Sequence, residues 1–223
     1  MQKKRLILKN IFITLTALMI TACGSENNNS ISVSLSKFKS TKTGPVYSTQ
    51  LAGIDSNGVS YEGSLSSINQ TQGMFNGILF TARDFAVELN DGNNFVIFSS
   101  TSYIGSNNNL LSFIFQGNTI PVQLSCTPVT PDNLPSSVNV GDFGDLSILV
   151  CSDRFILERN WKVEDANDGN ILLIFNKTLK DTFNETILVK KIVYTLSSDG
   201  YIIAFKSQEK IISSDYTLTY SSI

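Results

Sequence analysis

The side chains that could do chemistry in this 223-residue chain are few, because it contains no histidine. Histidine is the base that activates the nucleophile in Ser-His-Asp and Cys-His enzymes. Catalysis would therefore depend on carboxylates, lysine or tyrosine, and the candidate pairs Asp142 with Asp145 and Glu158 with Glu164 cannot be matched in space from sequence. We assign no catalytic residue, no metal ligand and no cofactor.

Cys23 follows a segment typical of secreted proteins. Four basic residues lie among the first nine, and an apolar stretch of about ten residues, 11–20, comes next. A membrane-spanning helix needs about 20 apolar residues, so this stretch is too short to be one. The residues Ile20-Thr21-Ala22-Cys23 resemble the lipobox of bacterial lipoproteins.

The lipobox resemblance covers residues 1–23 and implies that the protein is located at a membrane. It implies that residues 1–22 are a signal peptide that is removed, and that Cys23 becomes a lipidated N-terminus. Burial of palmitate-like acyl chains, at about 0.8 kcal/mol per CH2, would hold the protein on a bilayer. Gly24 and Ser25 follow without an aspartate, which by the sorting rule of Gram-negative lipoproteins favours the outer membrane.

The two remaining cysteines, Cys126 and Cys151, form an even pair in an oxidising compartment, which predicts a disulfide. The bridge would close a loop of about 25 residues and contribute roughly 3–4 kcal/mol in the chain-entropy model. Two unpaired buried thiols are the alternative. Since no histidine could activate a thiol, we interpret this pair as structural.

The charge balance argues against a nucleic-acid partner. Four of the 17 basic residues and none of the 19 acidic residues lie in the signal peptide, which leaves 13 basic against 19 acidic residues. No basic cluster remains in the mature chain. The abundance of Asn, Ser and Thr is typical of secreted β-rich proteins.

Short alternating segments separated by turn residues dominate the sequence from residue 45 onward. The turns Asp91-Gly92, Asn167-Asp168-Gly169 and Ser198-Asp199-Gly200 supply the positive φ that tight hairpins require. Residues 165–170 also have the oxygen-rich side chains of a calcium loop, but their glycine is misplaced for an EF-hand and a hairpin turn explains them. The pattern predicts an all-β fold, either an antiparallel barrel or a sandwich.

The chain divides into segments of different composition. Residues 23–44 are small and polar and predict a lipid anchor with a flexible tether, although residues 31–36 alternate like an edge strand. Residues 45–124 and 145–223 are β-rich, and the Pro/Gly-rich stretch 125–144 between them is a stapled loop. We favour two small β lobes joined by this loop over one sheet system with a long excursion.

Three functions are compatible with the sequence. The first is a non-catalytic domain that binds a protein, lipid or glycan of the cell envelope, and it predicts an exposed apolar patch or a cavity within a barrel. The second is a glycan hydrolase with two carboxylates roughly 5–10 Å apart. The third is a surface-structural or adhesive role. No family resemblance extends to residues 45–223.

Overall fold

The computed structural model describes residues 31–75, 77–117, 120–132 and 134–223. The signal peptide, residues 1–22, the predicted lipidation site Cys23 and the start of the predicted tether lie outside this part of the chain. Within the described ranges there is no helix whose length and hydropathy would let it cross a membrane.

The described residues form fifteen β-strands and a single turn of 3-10 helix, Ser152–Arg154. The all-β prediction is therefore confirmed. In chain order the strands are β1 (Ser32–Ser34), β2 (Gly44–Asp55), β3 (Ser60–Phe75), β4 (Ile78–Asn90), β5 (Phe95–Gly105), β6 (Leu110–Gly117), β7 (Ile120–Pro128), β8 (Ser137–Asn139), β9 (Phe143–Asp145), β10 (Leu149–Cys151), β11 (Ile156–Asn167), β12 (Asn170–Lys180), β13 (Thr186–Leu196), β14 (Ile202–Ile211) and β15 (Tyr216–Ser222).

Twelve of these strands close into an antiparallel barrel. Consecutive strands pair from β2 to β7 and from β11 to β15, and β15 pairs with β2. The short strand β10 pairs with β7 on one side and with β11 on the other, so the ring of strands has no free edge. Closure satisfies the backbone hydrogen bonds that an open sheet would leave exposed.

The hairpin turns occupy the positions that the sequence predicts. At the turn between β11 and β12, Asn167, Asp168 and Gly169 have φ of 69°, 53° and 78°. The carboxylate of Asp165 accepts a hydrogen bond from the backbone nitrogen of Asn167 at 2.8 Å. Residues 165–170 therefore form a hairpin turn in which a side-chain oxygen accepts a hydrogen bond from the backbone.

The strands of both predicted lobes share this barrel. Residues 45–124 supply most of β2 to β7, and residues 145–223 supply β10 to β15. The stapled loop is shorter than predicted, because β7 continues to Pro128 and pairs with β6 and β10. Pro128 is accommodated because it ends its strand.

Residues 31–44, predicted as part of the tether, pack onto the barrel. The strand β1 pairs with β8, and Val33 and Leu35 are fully buried. The strand alternative for residues 31–36 is therefore the one the fold adopts. Burial of two aliphatic side chains, at about 1.5–3 kcal/mol each, favours this packing over a solvated tether.

The buried apolar side chains form two clusters. The larger cluster draws on β1 to β4, β8 and β11 to β15, and the smaller cluster lies around β6, β7 and β10. The larger cluster consists of Val33, Leu35, Leu51, Tyr61, Leu65, Val87, Leu89, Val138, Trp161, Val163, Ile171, Leu173, Phe175, Ile192, Leu196, Phe205, Leu218 and Tyr220. The smaller cluster consists of Phe113, Phe115, Leu124, Cys126, Leu149, Cys151, Leu157, Leu179 and Leu188.

Candidate functional site

A cavity of about 420 Å³ lies inside the barrel. Inward-facing residues of β2 to β6 and β11 to β14 form most of its wall. Its volume falls within the range of about 300–1,000 Å³ that is typical of small-molecule sites. Seven aromatic rings line it, from Phe38, Tyr47, Phe85, Phe98, Phe113, Phe175 and Tyr194.

The aromatic rings pack against one another and leave an apolar surface toward the cavity. The Phe38 ring lies 5.1 Å from that of Tyr194 and 6.0 Å from that of Phe175, measured between centroids. The Phe85 ring lies 6.2 Å from that of Phe98. Such contacts hold the rings in defined positions, so the wall is preformed.

A row of four charged side chains crosses the interior between the two apolar clusters. Arg159, Lys177, Lys190 and Glu209 lie directly opposite one another on the neighbouring strands β11, β12, β13 and β14. We call these four residues the charged row. Like charges on directly opposed residues repel each other, so this arrangement needs compensating carboxylates.

Arg159 is compensated by Asp132. The guanidinium donates to Asp132 at 2.7 Å and to the backbone oxygen of Ser147 at 2.8 Å. Asp132 also accepts from the backbone nitrogen of Ser147 at 3.1 Å. Burial lowers the pKa of Arg159, while the charge of Asp132 opposes that effect. This pair fixes the loop before β8 to the barrel wall.

Lys190 is compensated by Glu209. Its ammonium lies 3.0 Å from the Glu209 carboxylate and 3.5 Å from the centroid of the Phe98 ring. Burial alone would lower the pKa of Lys190, but the Glu209 carboxylate and Tyr220 together outweigh burial and raise the pKa above its ordinary value. Lys190 is only 2% exposed, so it carries a buried, paired positive charge.

Lys177 lies between these two pairs and forms no salt bridge with any residue that the structure describes. Its ammonium lies 5.3 Å from the centroid of the Phe113 ring. Burial, followed by the positive charges of Lys190 and Arg159, lowers the pKa of Lys177 from 10.5 to about 7. The amine therefore releases its proton near neutrality.

Residues 38–42, which we call the strap, border the cavity and are fixed by buried polar side chains. Asn69 donates to the backbone oxygen of Ser40 at 2.7 Å. Arg83 donates to the side-chain oxygen of Asn69 at 2.8 Å and to the backbone oxygen of Phe38 at 3.2 Å. These bonds satisfy buried polar groups and hold the Phe38 ring in the cavity wall.

By its architecture the chain is a closed antiparallel β-barrel with a cavity lined by inward-facing side chains. Comparison of the chain with protein-family models, curated proteins and solved structures finds no match.

The predicted disulfide between Cys126 and Cys151 is confirmed, with an S–S distance of 2.03 Å. The two cysteines lie opposite each other on β7 and β10 and belong to the smaller cluster. Because the three-residue strand β10 is the link between β7 and β11, the disulfide reinforces the seam at which the barrel closes.

The predicted carboxylate pairs lie away from the cavity. Asp142 accepts from the backbone nitrogen of Asn139 at 2.7 Å, and Asp145 is exposed. Glu158 and Glu164 form partly exposed ion pairs with lysines. Asp132 is the acidic residue of the described cavity lining, and it forms a salt bridge with Arg159. No group of three metal-ligating residues occurs among the described residues.

Sequence reasoning missed the charged row, although the sequence contains a signal for it. Each row residue on β11 to β13 sits at an alternate position between apolar residues of the two clusters. Arg159 lies between Leu157 and Trp161, and Lys177 lies between Phe175 and Leu179. A charged residue in phase with the buried face of a strand indicates an internal polar site.

Proposed function

We propose that this chain is a membrane-anchored lipoprotein of the cell envelope whose barrel binds a lipid or another small apolar ligand without catalysis. The lipobox resemblance at Cys23 supports the anchor and the outer-membrane address. The cavity inside the barrel is the observation that carries the binding role. It favours a small ligand held in the cavity over a protein or glycan bound at the surface.

The cavity wall supports binding rather than catalysis. Its rings offer an apolar surface that a ligand can cover, and burial of apolar ligand area is favourable at about 25 cal/mol per Å². The acidic residue of the described lining, Asp132, forms a salt bridge with Arg159 instead of being free to act as a base. The hydrolase alternative therefore has no carboxylate pair to support it in the described lining.

A tryptophan at Ser100 tests whether ligands enter this cavity. Ser100 lies on the cavity wall in β5, so S100W would place an indole in the space that a ligand needs. We expect S100W to weaken binding of the neutral fluorescent probe N-phenyl-1-naphthylamine by at least about tenfold, which corresponds to about 1.4 kcal/mol. Titration of probe fluorescence measures the affinity.

The matched control is S99W, which adds the same side chain at the neighbouring position on the outer face of β5. It is expected to bind the probe like the unmodified protein. Thermal denaturation of both variants shows whether each is folded. Equal probe affinity in a folded S100W variant would contradict binding within the cavity.

A further inference from the structure

We propose that the ligand is a single-chain amphipathic anion, with its apolar chain among the aromatic rings and a carboxylate bound to Lys177. This inference rests on the proposed binding function and specifies its ligand class. The supporting observations are the charge pattern of the cavity wall, the position of Lys177 in the charged row, and the size of the cavity.

The basic residues of the cavity wall outnumber the acidic ones. Among the described lining residues, Lys39, Arg83, Arg159 and Lys177 are basic and Asp132 is acidic. Lys39 donates a hydrogen bond to the backbone oxygen of Leu134 at 2.9 Å, and Arg83 donates one to the backbone oxygen of Phe38 in the strap. A positive wall repels cationic ligands and attracts anionic ones.

Lys177 is the residue of the charged row whose positive charge a ligand could neutralise. Asp132 neutralises Arg159 and Glu209 neutralises Lys190, whereas Lys177 has no salt bridge among the described residues. A partly buried ammonium beside two other cations is unfavourable without an anion, and a ligand carboxylate would supply that partner. Lys39 and Arg83 also lack salt bridges in the described part of the chain, but they donate to backbone oxygens, so Lys177 is the cavity-lining cation for which a single ligand carboxylate would be the partner.

The cavity volume limits the apolar part of the ligand. A volume of about 420 Å³ is near the lower end of the range for small-molecule sites. It is suited to one alkyl chain and not to a two-chain phospholipid. Phe113, whose ring lies 5.3 Å from the Lys177 ammonium, brings the apolar wall to the carboxylate position.

Neighbouring charges set how binding depends on pH. Arg159 and Lys190 face Lys177 from the adjacent strands, and Asp132 and Glu209 act on it from farther away. With a pKa of about 7, Lys177 is charged below pH 7 and neutral well above it. Because the carboxylate binds the charged form, affinity is expected to fall by up to about tenfold per pH unit above 7.

The test compares decanoate, decanol and decyltrimethylammonium by displacement of N-phenyl-1-naphthylamine at pH 6.5. We expect decanoate to bind more tightly than both the uncharged decanol and the cationic decyltrimethylammonium. K177M is expected to weaken decanoate binding by about 10- to 100-fold, the range for loss of a charged hydrogen bond. The K177M affinities for decanol and for the probe should stay within about threefold of those of the unmodified protein. The decanoate affinity of K177M should no longer fall above pH 7.

The control is K191M, which removes an exposed lysine of β13 and should bind all ligands like the unmodified protein. If K177M binds decanoate unchanged, or if decanol binds as tightly as decanoate, the proposed anion site is wrong while the binding function stands. If the unmodified protein binds neither the probe nor any chain, the binding function itself fails. Decyl phosphate binding tighter than decanoate would overturn the choice of a carboxylate.

Discussion

Replacement of Glu209 by glutamine is expected to destabilise the barrel by about 3–5 kcal/mol, since it leaves the Lys190 ammonium buried without its carboxylate. The side chains of Lys190 and Glu209 are 3% and 10% exposed, and their charged atoms lie 3.0 Å apart. Water therefore cannot replace the lost partner. Urea denaturation at pH 7 measures the change in the free energy of unfolding.

A double-mutant cycle provides the control for this prediction. K190M alone leaves Glu209 buried without its cation and should also destabilise the fold, whereas K190M combined with E209Q should recover most of the loss. Purely additive losses in the double variant would show that the two charges are not coupled. E158Q, which removes a half-exposed carboxylate paired with Lys180, should cost no more than about 1 kcal/mol.

Removal of the disulfide in a Cys126→Ala, Cys151→Ala double variant is expected to cost about 3–4 kcal/mol, because the bridge spans 25 residues of sequence. The loss should be accompanied by loosening of the barrel seam. The strand β10 pairs with β7 through three residue pairs and with β11 through two, so the seam is short and the disulfide is a large part of what holds it. Urea denaturation measures the stability, and hydrogen exchange of β7 and β10 measures the seam.

Reductant provides the control for the disulfide. It should lower the stability of the unmodified protein to about that of the double variant, and it should leave the double variant unchanged. If the unmodified protein keeps its full stability after complete reduction, the bridge contributes nothing and the account of the seam is wrong. K191M, which retains both cysteines, should respond to reductant like the unmodified protein.

The sequence predicts the strands because alternation and turn residues are local signals. In β14, Phe205, Ser207 and Glu209 face inward while Lys206 and Gln208 face solvent, a period that is readable without a structure. The pairing of Cys126 with Cys151 was predicted because two cysteines in an oxidising compartment allow one intramolecular bridge. These predictions needed no information on which strands lie side by side.

The charged row and the strap could not be predicted in this way, because they depend on strand register and on closure. Arg159 meets Lys177 only through the pairing of β11 with β12, and Lys177 meets Lys190 only through the next pairing. The polar composition of residues 31–44 predicted a tether, whereas burial of Val33 and Leu35 decides their packing. Local composition does not report such long-range contacts.

The measurement that tests the binding function most directly is the mass of residues 24–223, purified from an oxidising compartment without detergent, under native and denaturing conditions. These residues include the whole compact unit 31–223. We expect a native mass that exceeds the denatured mass by that of one small amphipathic acid, which extraction then identifies. A native mass equal to that of the bare chain, unchanged after incubation with decanoate, would contradict the account.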